Sequence, residues 1–544
     1  MGEFTFTNPI IRGFNPDPTV CVVPATPTAP AQYFLSTSTF EFFPGAAIYH
    51  STDLLNWKLI GHALNRRSQM DMRTVEPGAG SWASTLRYRP REKRWYLTNG
   101  VFQRYRPSVD ERVFPRGFYV WTDDIFDDAA WSEPVYFDNP GFDQDLFWDD
   151  EDGGKVYLST TVRMGRRTPG LKLKDFAIHI SEIDLLTGRT LTPPRMIRDS
   201  PFGVAEGSHI IRKGKYYYLF TAEGGTEAGH QEWAFRSTEG LYGPWEGQGK
   251  ALWYNGPEEE VQRTGHCDLF EDGQGQWWAV LLGVRPAKNH EGKWTEPQLG
   301  RETFLVKVDW VDDWPVFNEG KNVGLETVGR EVVVQAPAAG PDGVHTPIKK
   351  CYSLTERPGY LRLYGNCYDL TSPESPALLL RKQTGYSETF RAKMSFQPSR
   401  LGYESGVTLW WHQYSFASIG IGIVEPSEGG EPVQTVIARE PTGRNGELKI
   451  SYPLLDSRVT FGVNDAVQLT IETTPADYKL TLSVGGANAS VSFAAETLTI
   501  NPPVGCAFAG AMFGIYTFGK SEPALDPSDF WDIEIIERSR LFTS

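Results

Sequence analysis

Cysteine is scarce in this sequence: five residues occur among 544, and they lie far apart along the chain. No CxxC pair is present, so neither a zinc ribbon nor a dithiol redox site is supported. The spacing favours free buried thiols, and a single bridge between Cys351 and Cys367 is a pairing that stays open. A fold held together by a disulfide framework is therefore not expected.

Long apolar runs are also lacking. Among the longest is WWAVLLGV, far short of the roughly 20 residues that a membrane-spanning helix needs. No apolar leader precedes the first repeat described below, because MGEFTFTNPIIRGF runs directly into it. The sequence thus predicts no membrane partner, and either an intracellular protein or a secreted one whose leader has been removed.

Positive charge is in deficit, since 53 Lys and Arg stand against 68 Asp and Glu, for a net charge of −15. This balance disfavours nucleic acid and anionic membranes as partners and suits a neutral substrate such as a carbohydrate. The Gly-rich phosphate cradle, HExxH and GxSxG are all missing from the sequence. Nucleotide-dependent, zinc-protease and serine-hydrolase chemistry therefore have no support.

The sequence does have a high share of aromatic residues, 13%, and they recur in a repeat. Stretches such as KRWYLTNG and KYYYLFTA alternate aromatic and β-branched residues between Gly, Asp and Asn turns, which is typical of β-strands. Five such repeats predict an all-β fold that begins with a five-bladed β-propeller over residues 1–325. The repeats begin at FNPDPTV (14–20), SWASTLRY (81–88), GFDQDLFW (141–148), EGSHIIR (206–212) and GHCDLFE (265–271).

The second half of the chain has a different pattern. A Pro/Gly/Ala-rich stretch indicates a linker over 326–347. Short alternating strands then follow, which predicts a β-sandwich over 348–544. We interpret the sandwich as an accessory domain that lends a loop such as 506–516, with Phe508, to the pocket rim. A free-standing sugar-binding module is the alternative.

The start of each repeat is expected to face one funnel, because a propeller arranges its innermost strands around a central axis. Each of the five polar or aromatic residues at these starts, taken alone, fits a turn that caps a loop. Three carboxylates in register on three repeats favour a functional site instead. The residues at these positions are Asp17, Trp82, Asp143, Glu206 and His266.

Three carboxylates that face one funnel favour hydrolysis of a glycosidic bond. One carboxyl group must be protonated to give a proton to the leaving oxygen, and a second must be ionised to attack or to activate water. The acid needs its pKa raised by burial or by a nearby negative charge, and a third carboxylate supplies such a charge. Three acids on one funnel thus divide into a base, an acid and a group that tunes the acid.

Seven stretches match a known family, and in register they cover residues 8 to about 318. They resemble glycoside hydrolase family 43, most closely its two-domain β-xylosidases and α-L-arabinofuranosidases, and the C-terminal region has that family's size and position. The stretches are GFNPDPTV, STFEFFPGAAIYHSTDLLNWKLIGHALNR, GFDQDLFWDDEDGGKVYL, AEGSH, AEGGTEAGH, TGHCDLFEDGQGQWWAVLLGVRP and LGRETFLVKVDWVDDWP.

The resemblance implies roles for the acids and for one arginine. Asp17 is similar to the general base that activates water, and Glu206 to the general acid. Asp143 is similar to the third carboxylate, which raises the pKa of the acid and orients it. Arg301 is similar to the arginine that reaches a sugar hydroxyl and the carboxylates. Judged on its own, Arg301 fits a surface ion pair as well.

The resemblance also implies a sugar-binding wall and a metal neighbour. Phe40 and Trp82 are similar to aromatics of the first sugar subsite, and His266 to an axial histidine near a water-coordinated ion, often calcium. Ordinary blade core is the alternative for all three. Relatives usually have proline where this chain has Ser84 and Ser208, which leaves the catalytic roles intact and the sugar preference open.

The resemblance implies inversion of configuration, and together the observations predict an inverting exo-glycosidase that releases terminal β-1,4-linked D-xylose or α-L-arabinofuranose from xylo-oligosaccharides or arabinoxylan. No organic cofactor is required, and an oligomer stays open. A β-xylosidase is favoured, because STFEFFPG and LNWKLIGHALNR most resemble that branch. The alternatives are a debranching α-L-arabinofuranosidase, a retaining enzyme for fructosyl sugars, a non-catalytic carbohydrate-binding propeller and an interaction scaffold.

Overall fold

The computed structural model describes residues 3–102, 115–164, 176–330, 343–345, 351–425, 430–453 and 466–538. In these residues helix is limited to three single turns, Asp128–Ala130, Asn318–Gly320 and Ala495–Thr497. Strands make up the rest of the regular structure, so the predicted all-β class is confirmed. None of the helical turns in the described residues is long and apolar enough to cross a membrane.

The chain divides into two compact units. The first consists of residues 1–71, 79–285 and 301–341, and the second of residues 72–78, 286–300 and 342–544. Two short segments that precede residue 326 thus belong to the second unit, although the predicted boundaries include both in the propeller region.

Within its described residues, the first unit contains five four-stranded antiparallel sheets and one two-stranded sheet. Each four-stranded sheet is built from one continuous stretch of chain, and the strands pair in sequence order. The two-stranded sheet pairs β1 with β22. The strands are β1 Glu3–Thr7, β2 Thr19–Val23, β3 Gln32–Thr37, β4 Gly45–Ser51, β5 Lys58–Leu64, β6 Gly80–Arg89, β7 Arg94–Phe102, β8 Arg116–Thr122, β9 Val135–Pro140, β10 Phe142–Asp149, β11 Lys155–Arg163, β12 Phe176–Ile183, β13 Arg195–Asp199, β14 Ala205–Lys213, β15 Tyr216–Glu223, β16 Gln231–Ser237, β17 Glu246–Gly247, β18 Gln262–Glu271, β19 Trp277–Val284, β20 Glu302–Val311, β21 Trp314–Phe317 and β22 Glu326–Arg330.

The first strands of the four-stranded sheets form a closed ring. Strand β2 contacts β6, β6 contacts β10, β10 contacts β14, β14 contacts β18, and β18 returns to β2. Such a ring of four-stranded sheets is the architecture of a β-propeller. Buried apolar clusters fill the space between neighbouring sheets, for example Tyr96, Leu146 and Leu158. The start of each inner strand therefore opens onto a common axis.

The N-terminal segment closes the ring against the last sheet. Asn8 is buried, and its Nδ2 donates hydrogen bonds to Leu305 O at 2.9 Å and Thr327 Oγ1 at 2.8 Å. The Asn15 N–H then donates to Arg301 O at 2.9 Å. These bonds bring the segment that carries Asp17 beside Arg301, although 284 residues separate the two in sequence.

The described part of the second unit contains two seven-stranded antiparallel sheets. Its core includes Phe390 and Phe513, whose rings stack with centroids 5.4 Å apart. The sheet orders are β23-β26-β35-β28-β29-β30-β31 and β24-β25-β36-β27-β32-β33-β34. The strands are β23 Gly343–His345, β24 Tyr352–Ser353, β25 Leu361–Leu363, β26 Ala377–Lys382, β27 Glu388–Ser395, β28 Glu404–His412, β29 Ser415–Val424, β30 Val433–Pro441, β31 Leu448–Ser451, β32 Val467–Thr473, β33 Asp477–Val484, β34 Ala487–Ala494, β35 Met512–Phe518 and β36 Ser528–Glu537.

The predicted linker over 326–347 overlaps two of these strands, β22 and β23. Strand β22 pairs with β1 in the first unit, and β23 pairs with β26 in the second. The remaining residues of the predicted linker, 331–342 and 346–347, lie outside the described residues.

Specific hydrogen bonds tie the segment 286–300 into the second unit. Gln298 Nε2 donates to Pro475 O at 2.8 Å, and Gln298 Oε1 accepts from the Tyr478 hydroxyl at 3.0 Å. The Ala511 N–H donates to Gln298 O at 2.8 Å. Because Gln298 is fully buried, these bonds satisfy polar groups that water does not reach.

All five cysteines lie in described residues, and each is a free thiol. The bridge left open between Cys351 and Cys367 does not form. Cys21 and Cys267 are buried, whereas the other three are half-buried. The prediction of free thiols is confirmed, and the prediction that they are all buried holds for two of the five.

Candidate active site

The inner strands of the propeller share an unusual backbone feature at their starts. Asp17, Asp143 and His266 have φ values of 53°, 52° and 53°, and in the other two inner strands Ala83 and Gly207 have φ values of 28° and 59°. Positive φ is uncommon for residues other than glycine and is found preferentially at functional sites. The structurally equivalent residues of the five repeats are therefore these five. Trp82 and Glu206, which the sequence predicted at these positions, each lie one residue earlier.

Asp17 is surrounded by hydrogen-bond donors. Ser38 Oγ donates to Asp17 Oδ2 at 2.6 Å, while His266 Nδ1 and Arg301 Nη1 lie 3.3 and 3.4 Å from Asp17 Oδ1. Burial alone would raise the pKa of Asp17, but Arg301, His266 and Ser38 together hold that pKa well below its ordinary value. The lowered pKa keeps Asp17 ionised near neutral pH.

The pKa of Asp143 is raised, in contrast to that of Asp17. Its side chain is buried, and its Oδ2 accepts a hydrogen bond from the Gly207 N–H at 2.9 Å. Burial and the negative charge of Asp17 raise the pKa of Asp143 to about 6, against the lowering effect of His266 and the Gly207 bond. The bond to Gly207 also ties Asp143 to the strand that carries Glu206.

Glu206 is the most strongly shifted of the three acids. Burial contributes most to the shift, the negative charge of Asp143 comes next, and together with Asp17 they raise the pKa of Glu206 to about 8. His266 and Arg301 oppose the shift without cancelling it. Glu206 senses the charges of Asp143 and Asp17, and Asp143 senses the charge of Asp17, so the three acids lie in one cluster. The raised pKa keeps Glu206 protonated near neutral pH.

His266 lies within this cluster. Burial lowers its pKa, but the hydrogen bond with Asp17 and the charges of the three carboxylates raise the pKa of His266 to about 9 overall. The ring lies so close to Gly207 that a Cβ there would come 2.6 Å from His266 Cδ2. Only glycine fits at residue 207, because the φ is positive and the imidazole occupies the side-chain space.

These contacts bear on the calcium expected near His266. A protonated imidazole has no lone pair to offer a metal, and its Nδ1 faces Asp17 Oδ1. Among the described residues, no group of three or more His, Cys, Asp or Glu side chains is arranged to hold a metal ion. The described side chains therefore offer no direct ligand set for calcium around His266, and the water-mediated ion expected there stays a prediction.

Arg301 connects the acids to an aromatic wall. Its Nη1 donates to Thr226 Oγ1 at 2.9 Å, and its guanidinium carbon lies 5.1 Å from the centroid of the Phe40 ring. The Phe40 and Trp82 centroids are 6.3 Å apart. Phe40 is buried and has a φ of 47°, a strained conformation for an aromatic residue. Arg301 thus lies beside Asp17 and against the Phe40 ring, which in turn neighbours Trp82.

Three further side chains of this region were missed by sequence reasoning. Ser38 and Thr226 bind Asp17 and Arg301 directly, and both lie in stretches that carried the family resemblance, STFEFF and AEGGTEAGH. The third is Arg87, which binds Asp145 and Asp268. Hydroxyl residues in loops are too common for sequence alone to single out these two.

Phe508 belongs to the second unit, where its ring lies beside Gly78: a Cβ built on that glycine would be 3.1 Å from Phe508 Cδ2. Its role at the pocket rim stays a prediction.

Both serines that replace proline are buried and hydrogen-bonded. Ser84 Oγ accepts from Asn99 Nδ2 at 3.1 Å, and Ser208 Oγ lies 3.1 Å from Ser159 Oγ.

A propeller whose axis gathers three carboxylates, one ionised and two with raised pKa values, has the site of a glycoside hydrolase. Comparison with known proteins gives the family. The model of glycosyl hydrolases family 43 matches residues 6–315, and that of the β-xylosidase C-terminal concanavalin A-like domain matches residues 343–535. The chain belongs to glycoside hydrolase family 43.

Individual relatives cover nearly the whole chain. It is 31% identical over 508 residues to a xylan 1,3-β-xylosidase of Vibrio sp., which covers 89% of both chains. It is also 31% identical to a non-reducing end α-L-arabinofuranosidase of Bacteroides ovatus, over 97% of this chain and 94% of that protein. The crystal structure of xylan β-1,4-xylosidase from Bacillus halodurans C-125 superposes with a TM-score of 0.81 at 27% identity, over 96% of this chain and 98% of that one.

Proposed function

We propose that this protein is an inverting exo-glycosidase that releases single pentoses from non-reducing ends, with terminal β-1,4-linked D-xylose of xylo-oligosaccharides as the favoured substrate. The observation that carries the proposal is the divided protonation of one carboxylate cluster. Asp17 is held ionised by Arg301 and His266, while burial and Asp143 hold a proton on Glu206. A sugar-binding propeller without catalysis needs aromatics and hydrogen-bond donors but no such division.

These protonation states suit the inverting reaction that the family resemblance implies. Asp17 takes a proton from a water molecule as that water attacks the anomeric carbon, and Glu206 gives its proton to the leaving glycosidic oxygen. The new C–O bond forms on the face opposite the one that breaks, so the configuration inverts. Asp17 ends the cycle protonated and Glu206 ionised, and exchange with solvent restores both.

Asp143 supports the acid in two ways. Its negative charge is the main contribution after burial to the raised pKa of Glu206. Its hydrogen bond from the Gly207 N–H fixes the backbone next to Glu206. Arg301, which lies between Asp17, Thr226 and the Phe40 ring, is placed to bind a sugar hydroxyl at the aromatic wall.

A second candidate is an α-L-arabinofuranosidase, because the relative of that name covers 97% of this chain. Nitrophenyl β-D-xyloside and nitrophenyl α-L-arabinofuranoside, assayed side by side, distinguish the two. We expect a higher kcat/KM for the β-xyloside, with NMR detecting α-xylose as the first product. β-Xylose as the first product would mean retention of configuration, and no hydrolysis of either glycoside would leave a binding propeller.

The linkage has its own test, because relatives are named for both 1,3- and 1,4-linked xylan. We expect β-1,4-xylobiose to be cleaved faster than β-1,3-xylobiose when xylose release is measured under identical conditions. The reverse order would move the proposal to the 1,3-linked substrate without changing the catalytic residues.

The pH dependence should report the tuning of Glu206 by Asp143. Since Glu206 acts protonated with a pKa of about 8, kcat/KM should fall as the pH rises through that value. In Asp143→Asn a neighbouring negative charge is lost, the pKa of Glu206 falls, and the alkaline limb should move to lower pH by about one unit. The measurement is the pH profile of kcat/KM on nitrophenyl xyloside.

The matched control is Asp150→Asn, which removes the same charge from an exposed turn after the same strand, where Asp150 pairs with Arg89. Its alkaline limb should coincide with that of the wild type. An alkaline limb that stays in place in Asp143→Asn would show that Asp143 does not tune the acid.

A further inference from the structure

A second layer of polar side chains lies below the carboxylate cluster. It is formed by the residues two positions after the positive-φ residue of each inner strand. The residues of this layer are Thr19, Thr85, Asp145, His209 and Asp268. Asp145 and Asp268 are almost fully buried, with side chains 2% and 1% exposed.

Arg87 reaches this layer from strand β6 and binds it from the middle. Its Nη1 donates to Asp268 Oδ2 at 2.7 Å, and its Nη2 donates to Asp145 Oδ2 at 3.0 Å. Nη2 also lies 3.1 Å from His209 Nδ1, and Nη1 lies 3.3 Å from Thr19 Oγ1. One guanidinium thus contacts the four other inner strands of the ring.

The charges of this layer make Arg87 more than a packing residue. Two carboxylates removed from water need a cation nearby, and Arg87 supplies it with the planar fork that suits two acceptors at once. Arg87 and His209 hold the pKa of Asp268 below its ordinary value against the effect of burial. His209 Nδ1 lies between Arg87 Nη2, at 3.1 Å, and Asp145 Oδ2, at 3.2 Å, so the imidazole joins the same polar layer.

The layer is also connected to the catalytic residues by position. Thr19 follows Asp17 by two residues, Asp145 follows Asp143 by two, His209 follows Glu206 by three, and Asp268 follows His266 by two. A shift in this layer therefore moves the strand starts above it. Misplacement of a catalytic group by about 1 Å can cost on the order of 100-fold in rate.

We infer that the Arg87 guanidinium is the axial cation of this propeller: it occupies the place that a metal ion would take between Asp145 and Asp268, and it holds the four strands of the catalytic cluster in position. Arg87 is thus a positioning residue, since it contacts neither the three acids nor the aromatic wall in the hydrogen bonds and ion pairs of the described residues. The expected effect on turnover rests on the proposed function, whereas the expected replacement of the guanidinium by a calcium ion does not.

The test is Arg87→Ala, which leaves two buried carboxylates and the Thr19 hydroxyl around the space of the guanidinium. Calcium accepts such oxygen ligands in flexible geometry. We expect the melting temperature to fall in EDTA, and calcium chloride to restore about half of the loss or more. On nitrophenyl xyloside, kcat should fall about 100-fold in EDTA with little change in KM, and calcium should recover part of it. Wild-type stability and activity should not respond to EDTA or calcium.

Two further variants separate a positioning role from a general loss of stability. Arg87→Lys keeps the charge but cannot span both carboxylates, so it should be more active than Arg87→Ala in EDTA and respond less to calcium. Arg285→Ala breaks the pair with buried Glu302 away from the axis. It should lose stability without recovery by calcium, because one carboxylate is a poor calcium site.

Each outcome has a distinct meaning. If calcium stabilises Arg87→Ala but the wild-type protein hydrolyses no glycoside, the inference about the axial cation is supported and the proposed function is wrong. If Arg87→Ala does not fold, its recovery in soluble form when calcium is present during refolding supports the inference, and failure to recover overturns it. A wild-type melting temperature lowered by EDTA, or an active Arg87→Ala indifferent to calcium, would also overturn it.

Discussion

Replacing Asp17 by asparagine should lower kcat on xylo-oligosaccharides by about 10⁴-fold, the upper end of the contribution of a general base. An amide cannot accept the proton of the attacking water, although it is isosteric and can still accept the Ser38 hydrogen bond. At 1.36 kcal/mol per tenfold this is a loss of about 5 kcal/mol of transition-state stabilisation. Xylose release by wild type and variant, measured at equal enzyme and substrate concentrations, gives the ratio.

The structure also says what should remain in this variant. Arg301 keeps its contacts with Thr226 and Phe40, so the sugar subsite should persist and KM should change much less than kcat. Circular dichroism and the melting temperature establish that the fold is intact. A small anion such as azide, which needs no base, should partly restore turnover in Asp17→Ala by attacking in place of water. Near-normal kcat in either variant would remove Asp17 from the mechanism.

The propeller was predictable because its repeats are explicit in the sequence. Aromatic and β-branched residues alternate in every repeat, and each inner strand starts with a similar turn sequence. The sequence showed less clearly which residues of the five repeats are structurally equivalent. In two repeats the positive-φ residue is Ala83 or Gly207, which carries no functional group, so Trp82 and Glu206 were aligned one position away from their structural place.

The two segments that belong to the second unit show the limit of local patterns. Residues 72–78 and 286–300 are short and rich in turn residues, and they resemble surface loops in sequence. Their partners lie far along the chain, as in the bond between Gln298 and Tyr478, which are 180 residues apart. No periodicity encodes such a partnership, because it depends on which buried polar groups meet after folding.

The division of roles among the acids also could not be derived from the sequence alone. Asp17 and Asp143 are the same residue type at equivalent positions, with nearly the same φ. Their pKa values diverge because Arg301 and Ser38 bind Asp17, whereas Asp143 has only the Gly207 N–H as a close donor among the described contacts. The resemblance to the family implied the roles, and the neighbours give their physical basis.

Arg87 was overlooked for a similar reason. In the strand sequence SWASTLRYR it is one of two arginines on an alternating pattern, and a charged residue there normally faces solvent. Its importance appears only when residues from four other strands converge on it. A sequence pattern shows which face of a strand a residue occupies, but not how many other strands it reaches.

Replacing Glu206 by glutamine should produce the second large loss, and its size should depend on the leaving group. With xylobiose, whose leaving alkoxide is strongly basic, kcat/KM should fall by about 10³- to 10⁴-fold, because no proton is available to the departing oxygen. With 2,4-dinitrophenyl xyloside, whose phenolate leaves without a proton, the fall should be less than about tenfold. Initial rates over a series of aryl xylosides measure the dependence as a slope against leaving-group pKa.

A raised pKa by itself does not identify a catalytic acid, and the chain offers a matched control. Glu232 lies in the same sheet, and burial raises the pKa of Glu232 to about 8 as well, but its Oε2 accepts from the Cys267 N–H at 3.1 Å, and Asp143 is not among the charges that shift it. Glu232→Gln should therefore keep the shallow wild-type slope, whatever it does to stability. Azide should not rescue Glu206→Ala, because an inverting enzyme has no covalent intermediate for azide to intercept. Equal losses of Glu206→Gln on xylobiose and on the dinitrophenyl substrate would assign the proton to another group.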